Sequence, residues 1–154
     1  MERIAKFEKV SKNEETKDFY DYIMLPKRAT SGSAGYDFYL PFDLTIKPNE
    51  SVKVYTGIRA KIDPDYVLMI FPRSGLGTKY NLMLDNTVGV IDSDYYNALN
   101  EGHIIVALTN HSDKVLELKR GDRFAQGVFL KFGITVDDDT KSERLGGHGS
   151  TGMK

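Results

Sequence analysis

The chain has 154 residues, with 21 Lys plus Arg against 22 Asp plus Glu and a formal net charge of −1. That length suits one domain, and 40% hydrophobic with 28% charged residues is globular rather than disordered composition. The balanced charge argues against duplex nucleic acid or an acidic membrane as main partner, and the absence of cysteine excludes disulfides, thiolate metal sites and cysteine nucleophiles.

Residues 1–10 carry charges every few positions, so no signal peptide is expected. A short apolar segment at 22–25 ends at Pro26, and a second lies at 36–42. Residues 51–62 alternate, with Val52, Val54 and Thr56 on one face and Ile58, Ala60 and Ile62 following Gly57, the period of a half-buried strand. The continuous apolar run 66–71 reads as a strand buried on both faces, and it is far short of the ~20 residues that span a bilayer. Ser74 is placed to cap a helix in which Leu76, Tyr80 and Met83 fall at i, i+4 and i+7. Residues 104–109 and 115–118 read as two strands joined by a turn at 110–113. Residues 123–136 are β-rich, with Gly127 and Gly133 as bulge or bend sites. From Asp137 the chain is polar and then crowded with Gly146, Gly147, Gly149 and Gly152, too poor in apolar surface to order itself unaided. Short strands with turn signals every eight to twelve residues or so predict an all-β sandwich, jelly roll or barrel. The expected division is a β domain over 1–136 and a mobile arm over 137–154. The expected location is cytoplasmic, which the lack of cysteine fits.

Five stretches hold polar residues that a β core does not need. They are Ala34-Gly35-Tyr36-Asp37, Pro72-Arg73-Ser74-Gly75-Leu76-Gly77, the run from Asn86 to Tyr95, Arg120-Gly121-Asp122-Arg123-Phe124-Ala125-Gln126, and the run from Arg144 to Gly152. A helix opening at Ser74 presents unpaired N–H groups and a positive dipole end, a natural seat for phosphate. Gly75 and Gly77 let backbone N–H groups approach without a Cβ in the way, and Arg73 adds charge. Asp92 ends the apolar stretch of Val88, Val90 and Ile91. A free aspartate, with a reference pKa near ~3.9, is ionised at neutral pH and able to take a proton from water. Tyr95 offers a flat ring three residues later. Arg123 and Gln126 point to opposite faces of a regular strand, so a bulge is needed if both serve one site. Read singly, Ser74 is equally a cap, Asp92 a turn aspartate and Tyr95 a core ring.

In this order and spacing the five stretches resemble the five motifs of the homotrimeric dUTP diphosphatases (dUTPases) of bacterial or phage type, from about residue 24 to residue 152. The resemblance implies an all-β, jelly-roll-like β-barrel with one short helix and a flexible Gly-rich C-terminal arm. It implies a homotrimer with shared active sites, the arm closing over them. The activity implied is hydrolysis of dUTP to dUMP and pyrophosphate by Mg²⁺-assisted attack of water on the α-phosphorus. Such activity limits uracil incorporation into DNA and supplies dUMP for thymidylate synthesis.

By the same resemblance Asp92 is the base and Gln126 helps hold the water. Arg73, Ser74 and Gly75 grip phosphates, while Arg123 supports the phosphate region and subunit contacts. Asn86, with donor and acceptor on one amide, faces uracil. Tyr95 packs under the deoxyribose and leaves no room for a 2′-hydroxyl. Asp37 touches Mg²⁺ indirectly, through water. Arg144, Gly149, Ser150 and Thr151 serve the γ-phosphate from the arm. The family's usual stacking Phe is His148 here, and Tyr96 is a candidate to share the lid with it. Asp137, Asp138 and Asp139 read as a solvated linker, and His103 and His111 as loop residues. The turn between Asn97 and His103 is longer than in the leanest family members. Two alternatives stand beside this reading: a dCTP deaminase of the same fold, with Glu101 as the nearest acid/base group, and a nucleotide-responsive regulatory binding protein of unspecified partner.

Overall fold

Gly57 divides the alternating stretch 51–62. Its φ of +76° turns the backbone into the left-handed region, so the chain leaves one strand and enters another with a different partner. In the computed structural model, which describes residues 1–146, the strands in chain order are β1 (Ala5–Lys9), β2 (Lys27–Arg28), β3 (Tyr36–Tyr39), β4 (Leu44–Ile46), β5 (Ser51–Tyr55), β6 (Ile58–Ile62), β7 (Tyr66–Pro72), β8 (Leu82–Leu84), β9 (Gly89–Ile91), β10 (Ile105–Asn110), β11 (Leu116–Leu118) and β12 (Arg123–Lys131). A single α-helix among the described residues, α1 (Ser74–Tyr80), follows β7, and 3₁₀ turns occupy Tyr20–Tyr22 and Ser93–Asn97.

A five-stranded sheet of order β2-β3-β12-β7-β9 faces a three-stranded sheet of order β5-β10-β8, flanked by the pairs β1-β6 and β4-β11. Every pairing is antiparallel. The core lies between them: Phe38, Leu68, Ile70 and Phe124 from the larger sheet meet Val54, Leu82, Val106 and Leu108 from the smaller. Each such side chain contributes roughly 1.5–3 kcal/mol by leaving water. This is an all-β, jelly-roll-like fold. No helix among the described residues is long and apolar enough to cross a membrane.

Several expectations are corrected. In the run 66–71 only Leu68 and Ile70 are buried, while Val67, Met69 and Phe71 remain half-exposed. Register sets Val67 beside Leu130 and Met69 beside both Val128 and Val90, so the outer face of the five-stranded sheet is an apolar surface that the described residues leave partly exposed. The segments 104–109 and 115–118 do form strands, but not with each other: β10 lies between β5 and β8, and β11 pairs with β4. Ser74 is the first residue of α1 rather than its cap. Arg73, extended at φ −68° and ψ 140°, takes that place without a side-chain hydrogen bond. Asn81, left-handed at φ 47°, ends α1 with its N–H on the Leu76 carbonyl, so Met83 falls in β8 instead of on the helix.

The bulge in the last strand is also not at Gly127. The register slips between Arg123 and Ala125, and the successive residues Phe124 and Ala125 are both fully buried. Beyond β12, residues 132–146 have no regular structure and are exposed except at Arg144 and Gly146.

Candidate active site

The turn after β8 carries Asn86, β9 follows, and Asp92 stands where β9 passes into the 3₁₀ turn Ser93–Asn97. Together with β10 these elements enclose a pocket of ≈ 460 Å³. Its apolar walls are Ile70, Leu84, Val88, Ile91, Ile105 and Ala107, and its polar groups include Asn86, Asp92, Tyr95 and Arg144. Ile105, Val106 and Ala107 of β10 all border this pocket, and along the strand Val106 and Leu108 are buried while Ile105 and Ala107 stay half-exposed, as a period of two requires. β9 is the edge of its sheet, so its backbone polar groups turned away from β7 have no strand partner.

Asp92 keeps its side chain half-exposed (50%) at the pocket mouth. Its Oδ2 accepts a hydrogen bond from Arg144 Nη2 at 2.7 Å, and Arg144 Nε donates to Asp94 Oδ1, also at 2.7 Å. One guanidinium thus spans two carboxylates, with planar donors that match both. The neighbouring backbone is tied down too, because Leu99 N–H donates to the Leu145 carbonyl at 2.9 Å. Tyr95 is buried on the pocket floor. Its hydroxyl donates to the His103 carbonyl and accepts from Asn100 Nδ2 at 2.8 Å. Burial pushes the phenol's pKa upward, with the Asn100 N–H and the Arg144 charge acting against that shift.

A second cluster gathers the first, second and fourth motifs. Asp37 on β3 lies opposite Gln126 on β12. Its carboxylate is flanked by Arg73 Nε at 3.8 Å and Arg123 Nη1 at 3.5 Å. The bulge is what delivers Arg123 to the side that Gln126 faces. Gln126 Nε2 donates to the Pro72 carbonyl at 3.3 Å. Its Oε1 rests where Gly35 leaves space: a Cβ there would lie 2.5 Å from that oxygen. Ser74 and Gly75 are exposed beside this cluster, at the open end of α1.

The two clusters are far apart within one chain. Ile91 pairs with Leu68, which sets Asp92 level with Val67, whereas Arg73 follows the opposite end of β7. Six residues of strand separate those levels, or about 20 Å. One chain therefore does not bring Asp92 together with Gln126 or with the Arg73–Ser74 corner.

Other expected residues fall differently. Tyr96 is turned away from the pocket: its ring lies under Arg59, whose Cζ is 3.6 Å from the centroid, and its hydroxyl donates to Glu8 Oε1 at 2.5 Å. Adjacent residues of a 3₁₀ turn diverge by about a third of a turn, so Tyr95 and Tyr96 cannot face the same space. The lid expectation for Tyr96 is set aside on that ground. Arg144, expected at the γ-phosphate, pairs here with carboxylates of its own chain. His148, Gly149, Ser150 and Thr151 lie outside the described residues. No group of three or more His, Cys, Asp or Glu able to hold a metal occurs among the described residues. Asp37 lies between two guanidinium groups, and its expected contact with Mg²⁺ was an indirect one, through water. His103 is not a loop bystander but a buried core group: its Nε2 accepts from Gly57 N–H at 2.8 Å and its Nδ1 lies 3.4 Å from Glu15 Oε2. Sequence reasoning missed Asp94 and Asn100 as site residues, together with the wall residues Leu84, Ile105 and Ala107. Of these only the β10 alternation offered a signal.

The dUTPase family profile matches residues 21–152. A deoxyuridine 5′-triphosphate nucleotidohydrolase of Lactococcus lactis is 41% identical over 133 residues, covering 84% of this chain and 89% of that protein. The crystal structure of a dUTPase from Streptococcus mutans superposes with a TM-score of 0.71 at 39% identity, covering 84% of this chain and 97% of that one. A mutant dUTPase of a Staphylococcus aureus phage, phi11, in which a structural Mg(II) ion is coordinated, shares the fold at a TM-score of 0.69 and 17% identity, covering 91% and 98%.

Proposed function

The chain belongs to the dUTPase family, and on that premise we propose how it hydrolyses dUTP to dUMP and pyrophosphate: through sites shared between the subunits of a homotrimer. The pocket and Asp92 of one subunit act on a triphosphate held by Arg73 and Ser74 of another, whose Gln126 helps hold the attacking water. The observation that carries this reading is the separation of about 20 Å between the two clusters along β7, far longer than the step from one phosphorus of a triphosphate to the next. The partly exposed apolar face of Val67, Met69, Val128 and Leu130 supports association of copies.

Uracil occupies the apolar pocket, with the Asn86 amide and the free edge of β9 reading its polar atoms. Tyr95 underlies the sugar, and its fixed ring leaves no space for a 2′-hydroxyl. Arg144 holds Asp92 through Oδ2 and leaves Oδ1 open toward the attacking water. Asp92 takes the proton, the water oxygen bonds to the α-phosphorus, and the bond from that phosphorus to the bridging oxygen of the β-phosphate breaks. Pyrophosphate leaves against Arg73 and the first N–H groups of α1. A base placed this way contributes ~10²–10⁴ in rate. No cluster among the described residues could cage a metal, so Mg²⁺ would be brought with the triphosphate and would supply charge neutralisation there.

The deaminase alternative needs an acid/base group in the pocket. Glu101 is not one, since its carboxylate accepts hydrogen bonds from Ser11 N–H at 3.2 Å and Ser11 Oγ at 2.6 Å. Pyrophosphate release measured across dUTP, UTP, dTTP and dCTP with Mg²⁺ tests the function. dUTP is turned over far faster than the rest; ammonia release from dCTP without pyrophosphate from dUTP would overturn it.

A further inference from the structure

The turn that follows the 3₁₀ segment is built around an unusual backbone. Glu101 and Gly102 both have positive φ, at 64° and 72°. A Cβ on Gly102 would lie 2.6 Å from the Tyr95 carbonyl oxygen and 2.7 Å from Tyr96 Cα. The turn is thereby pressed against the backbone of the residues that carry the pocket floor, at a distance only glycine permits.

Within it, Asn100 makes two hydrogen bonds of opposite sense. Its Oδ1 accepts from Gly102 N–H at 3.1 Å, and its Nδ2 donates to the Tyr95 hydroxyl at 2.8 Å. The amide cannot be reversed, because its oxygen must face a backbone N–H. Nor can the phenol swap roles, because its own proton is given to the His103 carbonyl. Tyr95 is therefore held at its far end by two atoms of one turn, an acceptor and a donor. His103 is itself fixed in the core through Gly57 and Glu15.

We propose that Asn100 is a positioning residue for sugar selection: it locks the Tyr95 ring, and so sets how strongly the site rejects a ribonucleotide. The inference rests on the dUTP-hydrolysing reading above and assigns a task to the long turn that the motifs leave unexplained. A ring held at only one point tilts and admits a 2′-hydroxyl. A ring held at two points turns that hydroxyl into a steric clash, which discriminates better than the lack of a bond.

The test compares kcat/KM for dUTP and UTP, with Mg²⁺, in the full-length protein and its variants. Asn100→Ser keeps a hydroxyl oxygen able to accept from Gly102 N–H but is too short to reach the Tyr95 hydroxyl, so the turn persists while the ring loses that donor. The dUTP:UTP ratio falls about tenfold, the equivalent of one hydrogen bond of about 1.4 kcal/mol. The loss arises mainly from improved UTP turnover, and the melting temperature stays near wild type. Asn100→Ala gives the same ratio if it folds; if it does not, Asn100→Ser decides. In a Tyr95→Phe background, where neither bond can form, Asn100→Ser changes the ratio no further. A wild-type ratio that Asn100→Ser leaves intact, or full additivity with Tyr95→Phe, overturns the inference alone. A wild-type ratio near one overturns both the inference and the functional reading it rests on.

Discussion

Gly35→Ala is a small change with a defined geometric cost. The added Cβ would meet Gln126 Oε1 at 2.5 Å and Gln126 Cδ at 3.5 Å, with no backbone atom among its nearest contacts. Ordinary contact requires the amide to retreat by about 1 Å. That shift breaks its bond to the Pro72 carbonyl and moves it from the place where it is proposed to hold the catalytic water. A misplacement of about 1 Å at a reacting group costs on the order of 10²-fold in rate, or ~2.7 kcal/mol on the barrier. Stability behaves differently. Gly35 does not have positive φ, so alanine fits its backbone and reduces unfolded-state entropy by ~0.4–1 kcal/mol, which offsets a side-chain shift at a half-exposed site. Steady-state kinetics with dUTP and thermal melting read the two effects separately. The expected outcome is kcat down about a hundredfold with an unchanged melting temperature, no larger in combination with Gln126→Ala than for Gln126→Ala alone. Normal kcat in Gly35→Ala beside a slow Gln126→Ala would refute the reasoning.

Asp92→Asn keeps shape and removes the base, so kcat falls ~10²–10⁴-fold while dUTP binding, followed by calorimetry, persists; near-normal turnover would remove Asp92 from its role. Val128→Asp puts a charge on the outer sheet face, half-exposed in one chain and covered in the proposed trimer. Light scattering then gives monomers that remain folded but do not turn over dUTP, whereas an intact active trimer would show that this face is not the interface. His103 has its pKa held below the ordinary histidine value by burial, with Glu15 and then Glu101 opposing that shift. The unfolded chain therefore takes up a proton near pH ~6.5 that the folded chain refuses until lower pH, and stability falls as pH drops below that point by up to ~1.4 kcal/mol per pH unit. Melting curves from pH 7.5 to 5 show this slope and its flattening in His103→Gln; identical slopes in both proteins would contradict it.

The elements that sequence revealed best are those whose cause is local. The alternation of 51–62 marks β structure, although the left-handed break at Gly57 that makes it two strands is not legible in that pattern, and the need for a bulge near Arg123 follows from the count between Arg123 and Gln126. The half-exposed side of the run 66–71 is not legible in sequence, because an apolar residue on the outer face of a sheet looks there like one facing a core. Tyr96 was misassigned because adjacency in sequence was taken for adjacency in space, which a 3₁₀ turn denies. Asn100 and Asp94 act through single contacts across a turn, to Tyr95 and Arg144, and nothing in their spacing distinguishes them from solvated polar residues. The five motifs named the chemistry but not its division into two clusters, since that depends on the register of β9 and β12 against β7.

Subunit mixing tests the shared site most directly. Asp92→Asn and Arg73→Ala each disable a different half of it, so each protein alone is nearly inactive on dUTP. When the two are co-expressed and assemble at random, a site works where an intact Asp92 from one chain meets an intact Arg73 from another. Two independent even chances make that about a quarter of sites in a closed ring. The account predicts recovery of about a quarter of wild-type activity in the mixed oligomer. Mixed oligomers as inactive as either parent would contradict it, because they would place Asp92 and Arg73 in the same chain's site.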